Sequence, residues 1–135
     1  GAIMRSAECA GAHGVIIPKR RSVGLTATVA KAAAGAVEYM KVAKVSNINN
    51  AIAELKEKGV WIYGTAAEGS APMYKADLTG PAAIVIGSEG SGMSRLVAEN
   101  CDFLVSIPMK GKISSLNASA AAAILLYEAV RQRIG

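Results

Sequence analysis

Short apolar segments alternate along the chain with longer segments in which apolar residues recur at helical spacing. Apolar runs of four or five residues predict β-strands at residues 13–17, 41–45, 60–63, 82–86 and 103–107. Longer periodic segments predict helices at residues 2–10, 26–35, 47–58, 93–99 and 116–133. Residues 66–79 show neither period and contain Gly69 and Pro72, which predicts an irregular loop.

The alternation of strands and helices predicts an α/β protein with a mainly parallel sheet and helices on both faces. Ile84-Val85-Ile86 is apolar without interruption, as expected of a strand buried on both sides. No internal repeat or linker divides residues 1–135, so we predict one domain. Ligands of such sheets bind beyond the carboxyl ends of the strands. Three predicted loops lie in that position, at residues 64–68, 87–92 and 108–115.

The composition excludes several classes of protein. A chain that is 52% hydrophobic and 19% charged is not intrinsically disordered. The longest uncharged run near the C-terminus, residues 113–127, contains polar residues and is shorter than the roughly 20 apolar residues of a membrane span. The sequence opens in an amphipathic stretch, and Cys9 and Cys101 do not form a metal-spaced pair. We therefore expect a protein of the reduced cytoplasm, without a membrane or a metal.

Basic residues outnumber acidic ones, and the formal net charge is +5 with a pI of about 9.4. Residues 1–45 hold seven Lys and Arg against two Glu. This balance fits an acidic partner such as RNA or DNA, although a merely basic surface would look the same. With His13 as the one histidine, no Ser-His-Asp, Cys-His or metal-binding set can be assembled.

Residues 84–94 lead from a predicted strand through a glycine-rich turn into a helix. Gly87, Gly90 and Gly92 would allow a ligand to approach the backbone closely. Their spacing is neither that of a Walker A loop nor that of the dinucleotide motif. Glu89 disfavours a phosphate and suits a ligand with hydroxyl, amine or cationic groups. The alternative is a tight turn with a helix cap.

Residues 107–120 lead from another strand into an alanine-rich helix. Ser114 or Ser115 can serve as the N-cap of that helix, which would be a purely structural role. Asn117 is expected just inside the helix, where asparagine is unfavourable, so its amide is a candidate for holding a ligand or another loop.

Two basic segments allow both a structural and a functional interpretation. Arg5 and Glu8 lie one helical turn apart and could form an exposed ion pair. Lys19, Arg20 and Arg21 follow a predicted strand. They form either a solvated turn or a flexible loop that contacts phosphates.

Three of the segments described above resemble the three motifs of the SPOUT superfamily of RNA methyltransferases, in its SpoU or TrmH-like 2′-O-ribose branch. They occur along the chain in the same order as the motifs. The first motif matches Gly1-Ala2-Ile3-Met4-Arg5-Ser6-Ala7, and the second matches residues 84–93. The third matches Ile107-Pro108-Met109 together with residues 114–119. The likeness covers essentially the whole chain and is greatest to enzymes that methylate a guanosine ribose in large-subunit ribosomal RNA.

The resemblance implies a fold that the pattern of residues does not reveal, an α/β sheet with a deep C-terminal trefoil knot. It also implies a homodimer and S-adenosylmethionine as the methyl donor. The cofactor-binding positions carried over from the family are Thr65, Ala66, Gly87, Glu89, Gly90, Ile107, Met109, Ser115, Leu116 and Asn117.

The family assigns activation of the ribose 2′-hydroxyl to the arginine of the first motif, which is Arg5 here. Glu89, Ser115 and Asn117 correspond to catalytic-site residues that orient the arginine, the substrate or the cofactor. RNA would be held through phosphate contacts, for which the candidates are Lys19, Arg20, Arg21, Lys110 and Lys112.

The family pattern begins earlier than this sequence, with an asparagine two residues before Gly1, a preceding central strand and often a small RNA-binding domain. We therefore expect residues 1–135 to be an N-terminally incomplete catalytic domain. The alternatives are a catalytically silent RNA-binding or assembly module, and a transfer RNA rather than a ribosomal RNA substrate. A Rossmann-like oxidoreductase is disfavoured by the glycine spacing and by Glu89.

Overall fold

The structure is a computed structural model, and it describes residues 2–19, 41–66, 71–87, 93–111 and 117–134. The described helices are α1 (Ala2–Cys9), α2 (Ile48–Glu57), α3 (Arg95–Asn100) and α4 (Ala118–Ile134). The described strands are β1 (Gly14–Pro18), β2 (Lys41–Val45), β3 (Trp61–Thr65), β4 (Ala71–Pro72), β5 (Ala82–Val85) and β6 (Phe103–Ser106). The helix predicted at residues 26–35 lies outside the described residues.

The described strands form two parallel sheets. β1 pairs with β2, and the other four strands are ordered β4-β6-β3-β5. Every pairing between them is parallel, which confirms the predicted α/β class. Among the described strands, the single sheet of the prediction is thus divided in two. The trefoil knot stays a prediction, because two of the loops that would form it extend beyond the described residues.

Helices cover both faces of the four-stranded sheet. Tyr63 and Val105 point to one face and pack with Leu125 of α4 in the main core cluster. Ile62, the residue before Tyr63 in β3, points to the other face of the sheet and is fully buried. α2 and α3 lie against each other, and α2 also contacts β3. Alternating residues of β3 are therefore buried on opposite sides, as the prediction of helices on both faces requires.

Local capping signals set the bounds of α2. The Asn47 side chain accepts hydrogen bonds from the N–H groups of Asn49 and Asn50, at 2.8 and 3.3 Å. Gly59 follows the helix with φ of 85°, a left-handed conformation that glycine adopts without strain. Both features confirm the predicted helix. Ser94 caps α3, which was not predicted, and the helix begins at Arg95 rather than at Met93.

The prediction of an irregular loop at residues 66–79 is partly wrong. Ala71 and Pro72 form β4, which pairs with β6 at the edge of the sheet, and a 3-10 turn, Met73–Lys75, follows. Two residues are too few to show a strand period, and proline is tolerated on an edge strand because it lacks only a ladder N–H. Met73 and Leu78 from this segment are buried in the core.

The C-terminal turn of α4 is fastened to the segment before β5 by polar side chains. Glu128 is 5% exposed and accepts hydrogen bonds from Arg131 at 2.7 and 3.0 Å and from Gln132 at 2.9 Å. Gln132 also donates to the carbonyl of Ala76 and accepts from the N–H of Leu78. These bonds satisfy a buried carboxylate and fix where α4 ends.

Replacing Glu128 by glutamine is expected to lower the free energy of unfolding by about 1–2 kcal/mol at pH 7, because charge-assisted hydrogen bonds are lost. The hydrogen bonds from Arg131 hold the pKa of Glu128 below its ordinary value of 4.5. This contribution to stability is therefore present above pH 4.5 and is lost as the pH falls through the lowered pKa of the folded state.

Urea unfolding of both proteins between pH 7 and pH 3 checks this expectation, with Glu99→Gln as the control. Glu99 pairs with Arg95 on the surface, where an ion pair contributes less than about 1 kcal/mol. The difference between wild type and Glu128→Gln should shrink in acid. A difference no larger than that of Glu99→Gln at pH 7 would contradict the role given to Glu128.

Candidate active site

Three neighbouring strands end side by side at one edge of the larger sheet. β3 lies between β5 and β6, and because all three run parallel, their carboxyl ends share that edge. The Thr65 hydroxyl donates to the carbonyl of Val85 at 3.2 Å, and the Ala66 N–H donates to the carbonyl of Val105 at 2.9 Å. The loop after β3 is thereby hydrogen-bonded to both neighbouring strands.

The residues at this edge present a mostly uncharged surface. Gly87 follows β5, and Ile107 and Met109 follow β6. Ile107 is half-buried and packs against the core cluster, whereas Met109 is 38% exposed. An exposed thioether beside backbone groups at strand ends suits a ligand with an apolar, aromatic or sulfur-containing part. The structure thus places five residues predicted from the sequence at or shortly after the carboxyl ends of adjoining strands, namely Thr65, Ala66, Gly87, Ile107 and Met109.

Gly64 allows the side chains of Cys101 and Met93 to approach the backbone of β3 closely, and it was not among the predicted site residues. A Cβ atom at Gly64 would lie 2.6 Å from the Sγ of Cys101 and 2.9 Å from the Cε of Met93. Burial, followed by the charge of Asp102, raises the pKa of the Cys101 thiol, which favours its neutral, packed form. Met93 is the first described residue after the glycine-rich loop. A glycine within a buried strand was the available signal, since it often marks such an approach.

Asn117 forms the N-cap of α4, contrary to the prediction. Its side-chain Oδ1 accepts hydrogen bonds from the N–H of Ala120 and the hydroxyl of Ser119, both at 2.8 Å. The helix begins at Ala118 rather than at residue 116, so Asn117 is not inside it. Asparagine is a favoured N-cap because its short side chain reaches the open N–H groups of the first turn. The cap thus places the start of α4 immediately after the third loop.

Two substitutions separate the capping role of Asn117 from a role in holding the cofactor. Asn117→Ala should lower the free energy of unfolding by about 1 kcal/mol, and Asn117→Asp should not, because aspartate caps equally well. If the side-chain amide also donates to a ligand, both variants lose ligand affinity. Thermal unfolding and calorimetric titration measure the two quantities separately. A destabilised Asn117→Asp variant would contradict the assignment of Asn117 as a cap.

Arg5 lies on the exposed side of α1. Met4 and Ala7 form the buried side of this helix, which packs against α4 and also contacts β1. The third loop leads into α4, and α1 packs against α4. Arg5 is therefore carried by a helix that adjoins the element following this loop. The structure leaves the Arg5 guanidinium at the surface, where it can meet a large substrate.

The predicted basic contacts are divided between two places in the structure. Lys19 is exposed directly after β1, and Lys110 is exposed in the loop after β6. The remaining predicted site residues lie outside the described residues, namely Arg20, Arg21, Glu89, Gly90, Lys112, Ser115 and Leu116. Among the described residues, no three His, Cys, Asp or Glu side chains are grouped so as to hold a metal ion. None of the described helices is long and apolar enough to cross a membrane.

The family model of the SpoU rRNA methylases matches residues 1–127. The chain belongs to this family. Its sequence is 55% identical over 133 residues to the 23S rRNA (guanosine-2′-O-)-methyltransferase RlmB of Shewanella oneidensis, covering 98% of this chain and 54% of that protein. It is 54% identical over 133 residues to an uncharacterized tRNA/rRNA methyltransferase of Synechocystis, covering 98% of this chain and 35% of that protein. The chain thus spans about half the length of the RlmB relative and about a third of the length of the Synechocystis relative.

Solved structures of family members are similar over the whole chain. The SpoU methyltransferase AviRb from Streptomyces viridochromogenes, in complex with AdoMet, has a TM-score of 0.91 at 33% identity, covering 99% of this chain and 52% of that one. The TrmH/SpoU tRNA modifying enzyme of A. aeolicus has a TM-score of 0.87 at 32% identity, covering 98% of this chain and 68% of that one. These comparisons confirm the resemblance drawn from the three sequence motifs.

Proposed function

We propose that this chain catalyses methyl transfer from S-adenosylmethionine to a ribose 2′-hydroxyl of RNA, with a guanosine of large-subunit ribosomal RNA as the substrate. The observation that carries the proposal is membership in the SpoU rRNA methylase family across residues 1–127. The relative from Shewanella oneidensis is named for this same reaction on 23S rRNA. The convergence of β3, β5 and β6 on one edge supports the proposal, because parallel sheets bind ligands beyond the carboxyl ends of their strands.

The described residues at this edge fit S-adenosylmethionine. Thr65, Ala66 and Gly87 offer backbone groups at adjoining strand ends, and Ile107 and Met109 offer apolar contacts for a purine ring. Glu89, Gly90, Ser115, Leu116 and Asn117 complete the proposed set. When bound, the cofactor supplies an electrophilic methyl group on a sulfonium. The AdoMet complex of AviRb, a family member with the same fold, supports this assignment.

Transfer would form a bond between the ribose oxygen, held in line, and the methyl carbon as the carbon–sulfur bond breaks. The proton of the hydroxyl would pass to the substrate phosphate or to solvent water. Arg5 carries a cationic guanidinium group with several N–H donors. We assign it to binding the substrate phosphate and stabilising the oxygen as negative charge develops there. Glu89, Ser115 and Asn117 would orient the reacting groups, and most of the rate enhancement would come from positioning.

A homodimer in the cytoplasm completes the proposal. α4 exposes Tyr127 and Ile134, which are 48% and 83% accessible, and α1 lies beside it. Two large apolar side chains exposed on one helix favour association with a second copy. Sedimentation equilibrium of the chain tests this part directly, and a monomer at all concentrations would contradict it.

The reaction is tested by incubating the chain with tritiated S-adenosylmethionine and 23S rRNA or transfer RNA. The expected product is 2′-O-methylguanosine in 23S rRNA, identified by mass spectrometry of the nucleosides. The same product found in transfer RNA alone would overturn the ribosomal substrate. Cofactor binding without transfer to either RNA would instead support a silent RNA-binding module.

A further inference from the structure

A second cleft lies where β1 and β2 end and α2 begins. Its volume is about 310 Å³, near the lower limit of pockets that hold small ligands. Lys19 enters it from the end of β1, Lys44 from β2, and Asn50 and Glu54 from α2. None of the described residues of the proposed cofactor site is among the described residues that line this cleft.

α2 presents two different faces to its surroundings, and the cleft uses the one turned away from α3. Ile52 is buried, the Asn49 side chain accepts a hydrogen bond from Asn100 at 2.7 Å, and Lys56 donates to the carbonyl of Asn100. These residues share one side of the helix. Asn50 and Glu54, four residues apart, lie on the opposite side and are exposed in the cleft. The packing of α2 against α3 therefore does not explain why Asn50 and Glu54 face the cleft.

The strand register brings the two lysines to the same end of the small sheet. Ile17 pairs with Lys44 and Pro18 with Val45, so Lys19 follows β1 at the level where β2 ends. Among the described residues that line the cleft, two lysines and one carboxylate, Glu54, sum to a charge of about +1 at neutral pH. Asn47 already accepts bonds from two N–H groups of the first turn of α2. An anion in the cleft would therefore be attracted chiefly by Lys19 and Lys44.

We infer that this cleft binds a phosphodiester of the RNA substrate, at a distance from the nucleotide that is methylated. The inference extends the proposed function, because RNA is the polyanion that the proposed reaction requires. Lysine supplies a mobile cationic donor that suits a phosphate oxygen. Ser46 and Asn50 add hydrogen-bonding groups beside the lysines. Glu54 limits the strength of binding, as expected of a contact that positions a substrate and must release it.

The test is binding of a fluorescein-labelled, 12-nucleotide single-stranded RNA to the 135-residue chain, followed by anisotropy at several salt concentrations. Lys19→Ala and Lys44→Ala should each weaken binding about three- to tenfold. Each should also reduce the slope of log K against log salt by about 0.7. Glu54→Gln should tighten binding about two- to threefold, because it removes the repulsion of the phosphate.

Lys41→Ala is the matched control, since Lys41 is an exposed lysine on the same strand but at its opposite end. It should change RNA affinity less than twofold. Equal effects of Lys41→Ala and Lys44→Ala would overturn the inference, because they would indicate a diffuse charge effect. An RNA of the same sequence with an uncharged methylphosphonate backbone should bind equally weakly to wild type and Lys44→Ala. A difference in affinity between wild type and Lys44→Ala for this uncharged RNA would show that the cleft does not bind phosphate groups.

Titration with S-adenosylmethionine distinguishes failure of this inference from failure of the proposed function. If the chain binds the cofactor and Lys19→Ala and Lys44→Ala leave RNA affinity unchanged, the cleft assignment is wrong and the proposed function stands. If the chain does not bind the cofactor but RNA affinity still depends on both lysines, the proposed function fails and the cleft assignment stands.

Discussion

Replacement of Gly64 by alanine is expected to weaken binding of S-adenosylmethionine at least tenfold and to lower the free energy of unfolding by about 2 kcal/mol. The added Cβ would lie 2.6 Å from the Sγ of Cys101 and 2.9 Å from the Cε of Met93. Overpacking of this kind typically costs about 1–3 kcal/mol. The end of the Met93 side chain can turn aside, so the contact with Cys101 dominates. The backbone shift that relieves it would displace Thr65 and Ala66, which follow Gly64 in the proposed cofactor site.

A rescue experiment separates this specific clash from general destabilisation. Cys101→Ala removes the Sγ atom that the new methyl group would meet, so the double variant should recover part of the affinity lost in Gly64→Ala. Gly80→Ala is the control, since nothing lies within 4 Å of a Cβ at Gly80. Calorimetric titration and urea unfolding measure the two effects. Wild-type cofactor affinity in Gly64→Ala would contradict the packing role of this glycine.

Replacement of Arg5 by alanine is expected to reduce methyl transfer to RNA about hundredfold or more, as removal of one charge-stabilising donor does in other enzymes. Arg5 lies on the exposed side of α1, so its replacement removes no buried side chain from the core. Cofactor affinity should remain within twofold of wild type, because the proposed partner of Arg5 is the substrate phosphate and the reacting oxygen. Single-turnover transfer of a tritiated methyl group measures the rate.

Arg95→Ala serves as the matched control for Arg5→Ala. The Arg95 side chain is 93% exposed on α3, so its loss removes a surface arginine of equal charge. Arg5→Lys should restore little activity if the planar guanidinium is required, and much of it if charge alone suffices. Equal rates for Arg5→Ala and Arg95→Ala would exclude a catalytic role for Arg5.

Local signals allowed part of the fold to be predicted from the sequence. A cap at Asn47 or Asn49 and a left-handed Gly59 each depend on a few neighbouring residues, so α2 could be predicted from the sequence, and the structure selects Asn47 as its cap. The start of α4 could not, because Ser115 and Asn117 are both capable of capping. The choice between them depends on how the chain enters the helix from the third loop.

The parts of the site that depend on tertiary contacts could not be predicted from the sequence. Gly64 matters because Cys101 and Met93 approach it from distant parts of the chain. Lys44 gains its setting from Asn50 and Glu54 only after α2 has packed beside the small sheet. By contrast, Thr65, Gly87 and Ile107 each follow a strand, and parallel strands place such residues together at one edge.

Calorimetric titration of the 135-residue chain with S-adenosylmethionine tests the central claim, that the adjoining ends of β3, β5 and β6 form a cofactor site. We expect one site per chain for S-adenosylmethionine and for its demethylated product. Gly87→Val should abolish binding, because its side chain would occupy the space where the ligand meets the backbone. Absence of binding by the folded wild-type chain, or unchanged binding by Gly87→Val, would contradict the claim.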